Sequence, residues 1–269
     1  MIQIKSEAEV SLMRAAGLVV AETLAAVRAA IAPGVTPRDL DALAQREIRS
    51  RGAVPSFLGY HGYPATLCVS VNDEVVHGIP GDRVLSEGDL VSVDCGAVLD
   101  GWHGDAAVSV PVGAAAAEVE AAIAACEDAM WAGIAAMRTG GRLRDIGTAV
   151  EQSVRRAGDY GIVEEYGGHG IGTEMHQEPH VLNYRTRQRG PKLVAGLVLA
   201  VEPMITLGSP DTELQADGWT VTTADGSWAV HTEHSIAVTE HGPWVLTALD
   251  GGAARLGQLG VPTPATARA

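Results

Sequence analysis

Gly88-Asp89-Leu90-Val91-Ser92-Val93-Asp94 and Gly196-Leu197-Val198-Leu199-Ala200-Val201-Glu202 are one phrase written twice, 108 residues apart. Each opens on glycine, runs through apolar and β-branched residues and ends on an acid. Two more matches keep the same order. Arg38-Asp39-Leu40, running on to Gly52, parallels Arg144-Asp145-Ile146, running on to Gly158, at an offset of 106; Gly59-Tyr60-His61-Gly62 parallels Gly167-Gly168-His169-Gly170 at 108. Three matches in one order at nearly one spacing indicate an internal duplication.

The local signals agree with two similar halves. Ser6-Glu7-Ala8-Glu9 reads as a capping box, followed at helical spacing by Val10, Met13, Gly17, Val20, Leu24, Val27 and Ile31. Thr36-Pro37 opens a second helix that Gly52 stops. In the second half, Val119 to Met137 and Leu143 to Val154 carry the same periodicity. Residues 65–71, 90–99, 106–112, 194–205, 219–223 and 235–239 are rich in β-branched residues or alternate in polarity, as strands do. The expected fold class is therefore α+β: helix, helix and antiparallel sheet, twice, with pseudo-twofold symmetry and the helices on one face of a curved sheet. One domain over residues 1–250, with halves of about 1–112 and 113–250, precedes an Ala-, Pro- and Thr-rich stretch, 251–269, expected to be a loose tail.

Composition narrows the function. Hydrophobic residues make up 46% and charged residues 19% of 269, and no apolar run reads as approaching the roughly 20 residues of a membrane helix. The first residues lack the layout of a signal peptide, so the expected compartment is the cytoplasm. Cys68, Cys95 and Cys126 cannot all pair and show no C-x-x-C spacing, which predicts free thiols. A formal charge of −14 argues against stable nucleic-acid binding.

The acids at the ends of the repeated phrase carry the chemistry. An acid after an apolar strand is costly unless it is paired or bound to a cation. Asp100-Gly101 is a two-residue hairpin signal that sets Asp94 opposite Ala107, which places Asp105 on the same face, diagonal to Asp94. Glu202 holds the equivalent place in the second half, before Pro203. Glu233 follows on a later strand between His231 and His234, and His169 lies in a glycine-rich string that lets backbone approach other groups. Converging carboxylates repel unless cations neutralise them. Asp94, Asp105, His169, Glu202 and Glu233 form a ligand set for two divalent ions such as manganese, iron or cobalt, with zinc less favoured by so oxygen-rich a set. Two such ions would bring the net charge from −14 to −10.

At these residues the sequence resembles the methionine aminopeptidases of the bacterial type, within the wider pita-bread family. The matching strings are Gly59-Tyr60-His61-Gly62-Tyr63-Pro64, His77-Gly78-Ile79-Pro80, Asp100-Gly101-Trp102-His103-Gly104-Asp105, Gly168-His169-Gly170-Ile171-Gly172, Val201-Glu202-Pro203-Met204, Asp217-Gly218-Trp219-Thr220 and Glu233-His234. The resemblance implies a pita-bread fold with a dinuclear metal site at its centre, Asp105 and Glu233 bridging the ions. It implies that Glu202 shuttles a proton, that His77 and His176 flank the substrate, and that Tyr60, Tyr63, Cys68 and Trp219 line a methionine pocket. The implied reaction is removal of the initiator methionine from new polypeptides when the second residue is small. With it come a transient ribosome contact, a monomeric state and no membrane partner. Met175, Gln177 and Phe57 stand where many relatives carry Phe, Glu and Cys, which affects the shape of the pocket. X-Pro aminopeptidases and prolidases share the ligand pattern but usually carry an extra N-terminal domain. Non-catalytic pita-bread binding modules have typically lost ligands.

Overall fold

Ser6 starts the first helix. In the computed structural model, which describes residues 2–264, the Ser6 hydroxyl accepts from the Glu9 N–H at 3.3 Å and the Glu9 carboxylate accepts from the Ser6 N–H at 2.8 Å. Helix α1 then runs Glu7–Ala30, and Thr36 with Asp39 repeats the device at α2, Pro37–Ser50. In the second half α3 spans Ala117–Ala135 and α4 spans Leu143–Ala157.

The first half continues with β1 (Val54–Pro55), a 3-10 turn at Tyr60–Gly62, β2 (Leu67–Val71), β3 (Glu74–Val76), β4 (Leu90–Leu99) and β5 (Trp102–Pro111). β4 and β5 form a hairpin whose turn residues Asp100 and Gly101 have φ of 51° and 81°, as a tight hairpin turn requires. Its register puts Asp94 opposite Ala107, as the turn predicts. β4 also pairs with β2 and β1 along its other edge. Apolar faces of α1 and α2 close over this sheet, where Val20, Leu40, Ile48, Val91 and Val93 are buried together.

The second half holds β6 (Gly161–Ile162), β7 (Gly168–Gly170), β8 (Gln177–Val181), β9 (Val198–Val201), β10 (Met204–Thr206), β11 (Thr212–Leu214), β12 (Val221–Thr223), β13 (Ala229–His231), β14 (His234–Thr239) and β15 (Gly242–Val245). Five of them form a sheet in the order β15-β14-β9-β7-β8, with Ile134, Ile146, Leu199 and Ile236 in the core beneath α3 and α4. Two three-stranded sheets, β13-β10-β6 and β11-β12-β3, flank it. The two halves are stitched together where β12 pairs with β3 and where Ala107 and Glu233 exchange backbone hydrogen bonds of 2.9 and 3.2 Å.

Several expectations are corrected. The strand expected over 194–205 breaks into β9 and β10 at Glu202-Pro203, because proline has no N–H for the ladder. The Gly59–Gly62 and Gly167–Gly170 strings are not structural equivalents: the first forms the 3-10 turn, whereas the second includes β7. Helix α1 is long and apolar enough to span a membrane by length and composition; reading for unbroken apolar runs missed it because Glu9, Arg14 and Glu22 interrupt the pattern. Its apolar residues are buried against the first half's sheet and the strands around Leu246. The tail does not begin at 251. Asp250 accepts backbone N–H groups from Gly252 and Ala254 and nucleates α5, Ala253–Gln258, whose Leu256 is fully buried. Residues 265–269 of that expected tail lie outside the described residues.

Candidate metal centre

The seam between the halves collects the acids. Asp94 projects from β4 and Asp105 from β5, and the Asp105 backbone is clamped to β14 by Ser235, whose hydroxyl accepts from the Asp105 N–H at 3.2 Å and donates to its carbonyl at 2.8 Å. Glu202 sits at the β9–β10 break, where its carbonyl accepts from the buried Asn183 amide at 3.1 Å. Glu233 lies between β13 and β14, held by its backbone bonds to Ala107. His169 comes from β7; its Nδ1 bonds the Gly170 carbonyl at 2.9 Å, so Nδ1 carries the hydrogen and Nε2 presents a lone pair.

That lone pair faces carboxylates: His169 Nε2 stands 3.5 Å from Glu202 Oε1 and 3.9 Å from Asp105 Oδ2. Asp105, His169 and Glu233 offer ligand atoms within 4.8 Å of one another, and Glu202, His231 and Glu233 do the same. Asp94 Oδ1, Asp105 Oδ1 and Glu233 Oε1 are buried with no hydrogen-bond partner. Buried acceptors left orphaned in this way are costly, and the natural counterpart for such a cluster is a cation. The donor set of carboxylate oxygens and imidazole nitrogen therefore fits divalent metal ions.

Protonation tells the same story. Burial first, then repulsion between neighbouring acids, pushes Asp105 and Glu233 well above the carboxylate range. Burial likewise raises Asp94 to about 7 and Glu202 to about 8. Burial lowers His169 to about 3 and His77 to about 4, keeping both imidazoles neutral.

A cavity of about 130 Å³ opens beside these groups. Asp94, Asp105, His169, Glu202 and Glu233 line it, with His77 and His176, with Tyr60, Tyr63, Cys68 and Trp219, and with Phe57 and Met175. All eleven site residues expected from the sequence thus meet in one place. His176 Nδ1 and the Tyr60 hydroxyl share a 2.8 Å hydrogen bond, and the His176 ring lies 4.3 Å from that of His169. The single hydrogen of the Tyr63 hydroxyl is shared between the carbonyls of Leu67 and Gly78, each 3.0 Å away, and the ring stands edge-on to Trp219 at 5.1 Å. His77, in a left-handed conformation with φ 60°, packs against Tyr166 and Trp219; the β12–β3 pairing brings them together. Burial holds the Cys68 thiol protonated, so it serves as pocket wall and not as nucleophile. Gln177 points elsewhere, toward Gln3 and Lys5.

The sequence reading missed His231, which is 1% exposed with its Nε2 3.6 Å from Glu202 Oε2. The signal was present: His231 and Glu233 are two residues apart, the spacing that shares a strand face.

Comparison with known proteins agrees with this geometry. The model of metallopeptidase family M24 matches residues 11–240. Methionine aminopeptidase 1 of Mycobacterium tuberculosis is 55% identical over 249 residues, covering 90% of this chain and 94% of that protein. The crystal structure of a methionine aminopeptidase from Rickettsia prowazekii superposes with a TM-score of 0.89 at 42% identity, covering 92% of this chain and all (100%) of that one. A prolidase from Pyrococcus furiosus shares the fold alone, with a TM-score of 0.72 at 21% identity, and this chain covers 65% of its length. The fold is the pita-bread fold of these peptidases.

Proposed function

This chain belongs to metallopeptidase family M24, and from that premise we propose that it is a metal-dependent aminopeptidase that removes N-terminal methionine. The observation that carries the reading is the cluster of orphaned, buried carboxylate oxygens on residues that line a cavity together with aromatic and sulfur side chains. The 55% identity to a methionine aminopeptidase supports it over an X-Pro aminopeptidase or prolidase, and the intact acid cluster supports it over a binding module.

Asp94, Asp105, His169, Glu202 and Glu233 are the proposed ligands of two ions, manganese, iron or cobalt before zinc. Glu233 belongs to both close ligand groups, which supports its sharing between the ions. Bound divalent ions supply Lewis acidity and make water a nucleophile near neutral pH. Glu202 is the proton carrier: held ionised beside bound cations, its carboxylate takes a proton from the attacking water and delivers it to the leaving amine. With Tyr60 donating to His176 Nδ1, Nε2 of His176 carries the hydrogen and, with His77, donates to the substrate carbonyl. Phe57, Tyr63, Cys68, Met175 and Trp219 enclose an unbranched apolar side chain through sulfur–aromatic contact. His176, whose ring lies 4.3 Å from that of His169, would border the leaving side and so favour a small second residue.

The first half contributes Asp94 and Asp105 and the second His169, Glu202 and Glu233, which supports the division into halves of one catalytic domain. New polypeptide N-termini are the proposed substrates, met in the cytoplasm during a transient ribosome contact, with the enzyme acting as a monomer. Three buried free cysteines are consistent with a reducing compartment. A peptide panel with added manganese, iron or cobalt tests the reading. Met-Ala-Ser and Met-Gly-Ser should be cleaved, Met-Thr and Met-Val peptides more slowly, and Met-Lys and Ala-Pro-Ala scarcely; preference for Ala-Pro-Ala would hand the case to the X-Pro reading.

A further inference from the structure

His231 is left without a task by the five-ligand reading, yet it is built into the centre. Its backbone N–H donates to Ser109 Oγ at 3.1 Å and its carbonyl accepts from the same hydroxyl at 2.7 Å, a clamp from β5 that fixes where the ring starts. Pairing of His231 with Met204 holds the strand on its other side. The imidazole is buried, and Nε2 has no hydrogen-bond partner. An orphaned ring nitrogen is expensive to bury.

What that nitrogen faces is specific. Glu202 lies between two imidazoles: Oε1 is 3.5 Å from His169 Nε2, and Oε2 is 3.6 Å from His231 Nε2. His231, Glu202 and Glu233 offer donor atoms within 4.8 Å of one another, as close as Asp105, His169 and Glu233. His231 is not among the residues lining the cavity, so the nitrogen is presented to the carboxylates and not to a substrate.

We propose that His231 is a sixth ligand of the metal centre, its Nε2 giving the Glu202–Glu233 side an imidazole to match the one His169 gives the Asp105–Glu233 side. The proposal rests on the five-residue metal centre described above. Its consequence is a less oxygen-rich set than the sequence implied, which shifts preference from manganese toward cobalt and other nitrogen-seeking ions.

The test counts coordinated imidazoles without using turnover. The protein is loaded with two equivalents of cobalt(II), and the exchangeable, hyperfine-shifted imidazole N–H resonances are read in its proton NMR spectrum, alongside His231→Gln and His169→Gln. Two resonances are expected in the unaltered protein, one missing from His231→Gln and the other from His169→Gln. His231→Gln should also weaken the binding of one ion about tenfold or more. A single resonance that vanishes in His169→Gln and persists in His231→Gln overturns the proposal while leaving the five-residue centre standing. Failure of the unaltered protein to take up cobalt overturns both. Should His231→Gln fail to fold, the count in the unaltered protein still decides, since one resonance contradicts a sixth ligand.

Discussion

Asp105 Oδ1 and Glu233 Oε1 are carboxylate oxygens buried with nothing to bond, in side chains that burial and mutual repulsion hold protonated in the absence of a cation. Such groups weaken the empty fold and serve the loaded one. Asp105→Asn and Glu233→Gln should therefore cut turnover to below about a hundredth and abolish uptake of at least one ion, while the metal-free variants melt no lower than the unaltered protein, because a neutral amide replaces a carboxyl that is already protonated without a cation. Calorimetric metal titration with a melting curve checks both, and near-normal turnover in either variant would sink the dinuclear reading. His169→Ala should weaken one ion position and spare the other, since a single imidazole nitrogen faces the cluster; equal loss at both would contradict this. Asp94 and Glu202 were legible in the sequence because an acid after an apolar run stands out. His231 was legible only as a spacing, two residues before Glu233; that its nitrogen lacks a partner is seen only in the fold.

The β4–β5 hairpin is the element on which the site depends most, and its turn and register were legible in the sequence, although β5 begins at Trp102, four residues before the strand expected over 106–112. Asp100-Gly101 sets the register, and the register puts Asp94 against Ala107 and Asp105 against Gly96. The short strands β3, β6, β11 and β13 were missed because two or three residues carry no periodicity; they exist through pairing with distant partners, such as Val221 with Val76. The Gly59–Gly62 repeat misled for a related reason: glycine-rich strings permit several backbone shapes, and packing chose a turn in one half and a strand in the other. One contact between elements makes a sharp test. A Cβ on Gly104 would lie 2.8 Å from the Gly17 backbone nitrogen, so β5 can approach α1 only without a side chain there. Gly104→Ala should cost about 1–3 kcal/mol, lowering Tm by several degrees, and should reduce turnover because the next residue is Asp105. A variant as stable and active as the unaltered protein would contradict this account of the packing.

Across the whole molecule, neither half holds the whole carboxylate cluster, and bound cations would act as the staple between them. Four acids sit above their ordinary values in the metal-free protein, so the folded state binds more protons than the unfolded chain and loses stability as pH rises through that window. The buried histidines act in the opposite sense, but only below the ordinary histidine value of 6.5, down to about 4 for His77, His103 and His234 and about 3 for His169. Between 6.5 and about 8 the acids dominate, Asp94 at about 7 and Glu202 at about 8, and Lys5, which burial lowers to about 8, opposes them above that value. Metal-free protein should therefore show a Tm that falls across this interval, and metal-loaded protein a Tm that hardly changes; parallel curves would contradict the linkage. The most direct measurement is release of methionine from Met-Ala-Ser by protein stripped with a chelator and then titrated with manganese or cobalt. The expected result is no release from the stripped protein and full recovery as the centre fills. Undiminished cleavage by the stripped protein, or none after any added metal, would contradict a metal-dependent methionine aminopeptidase.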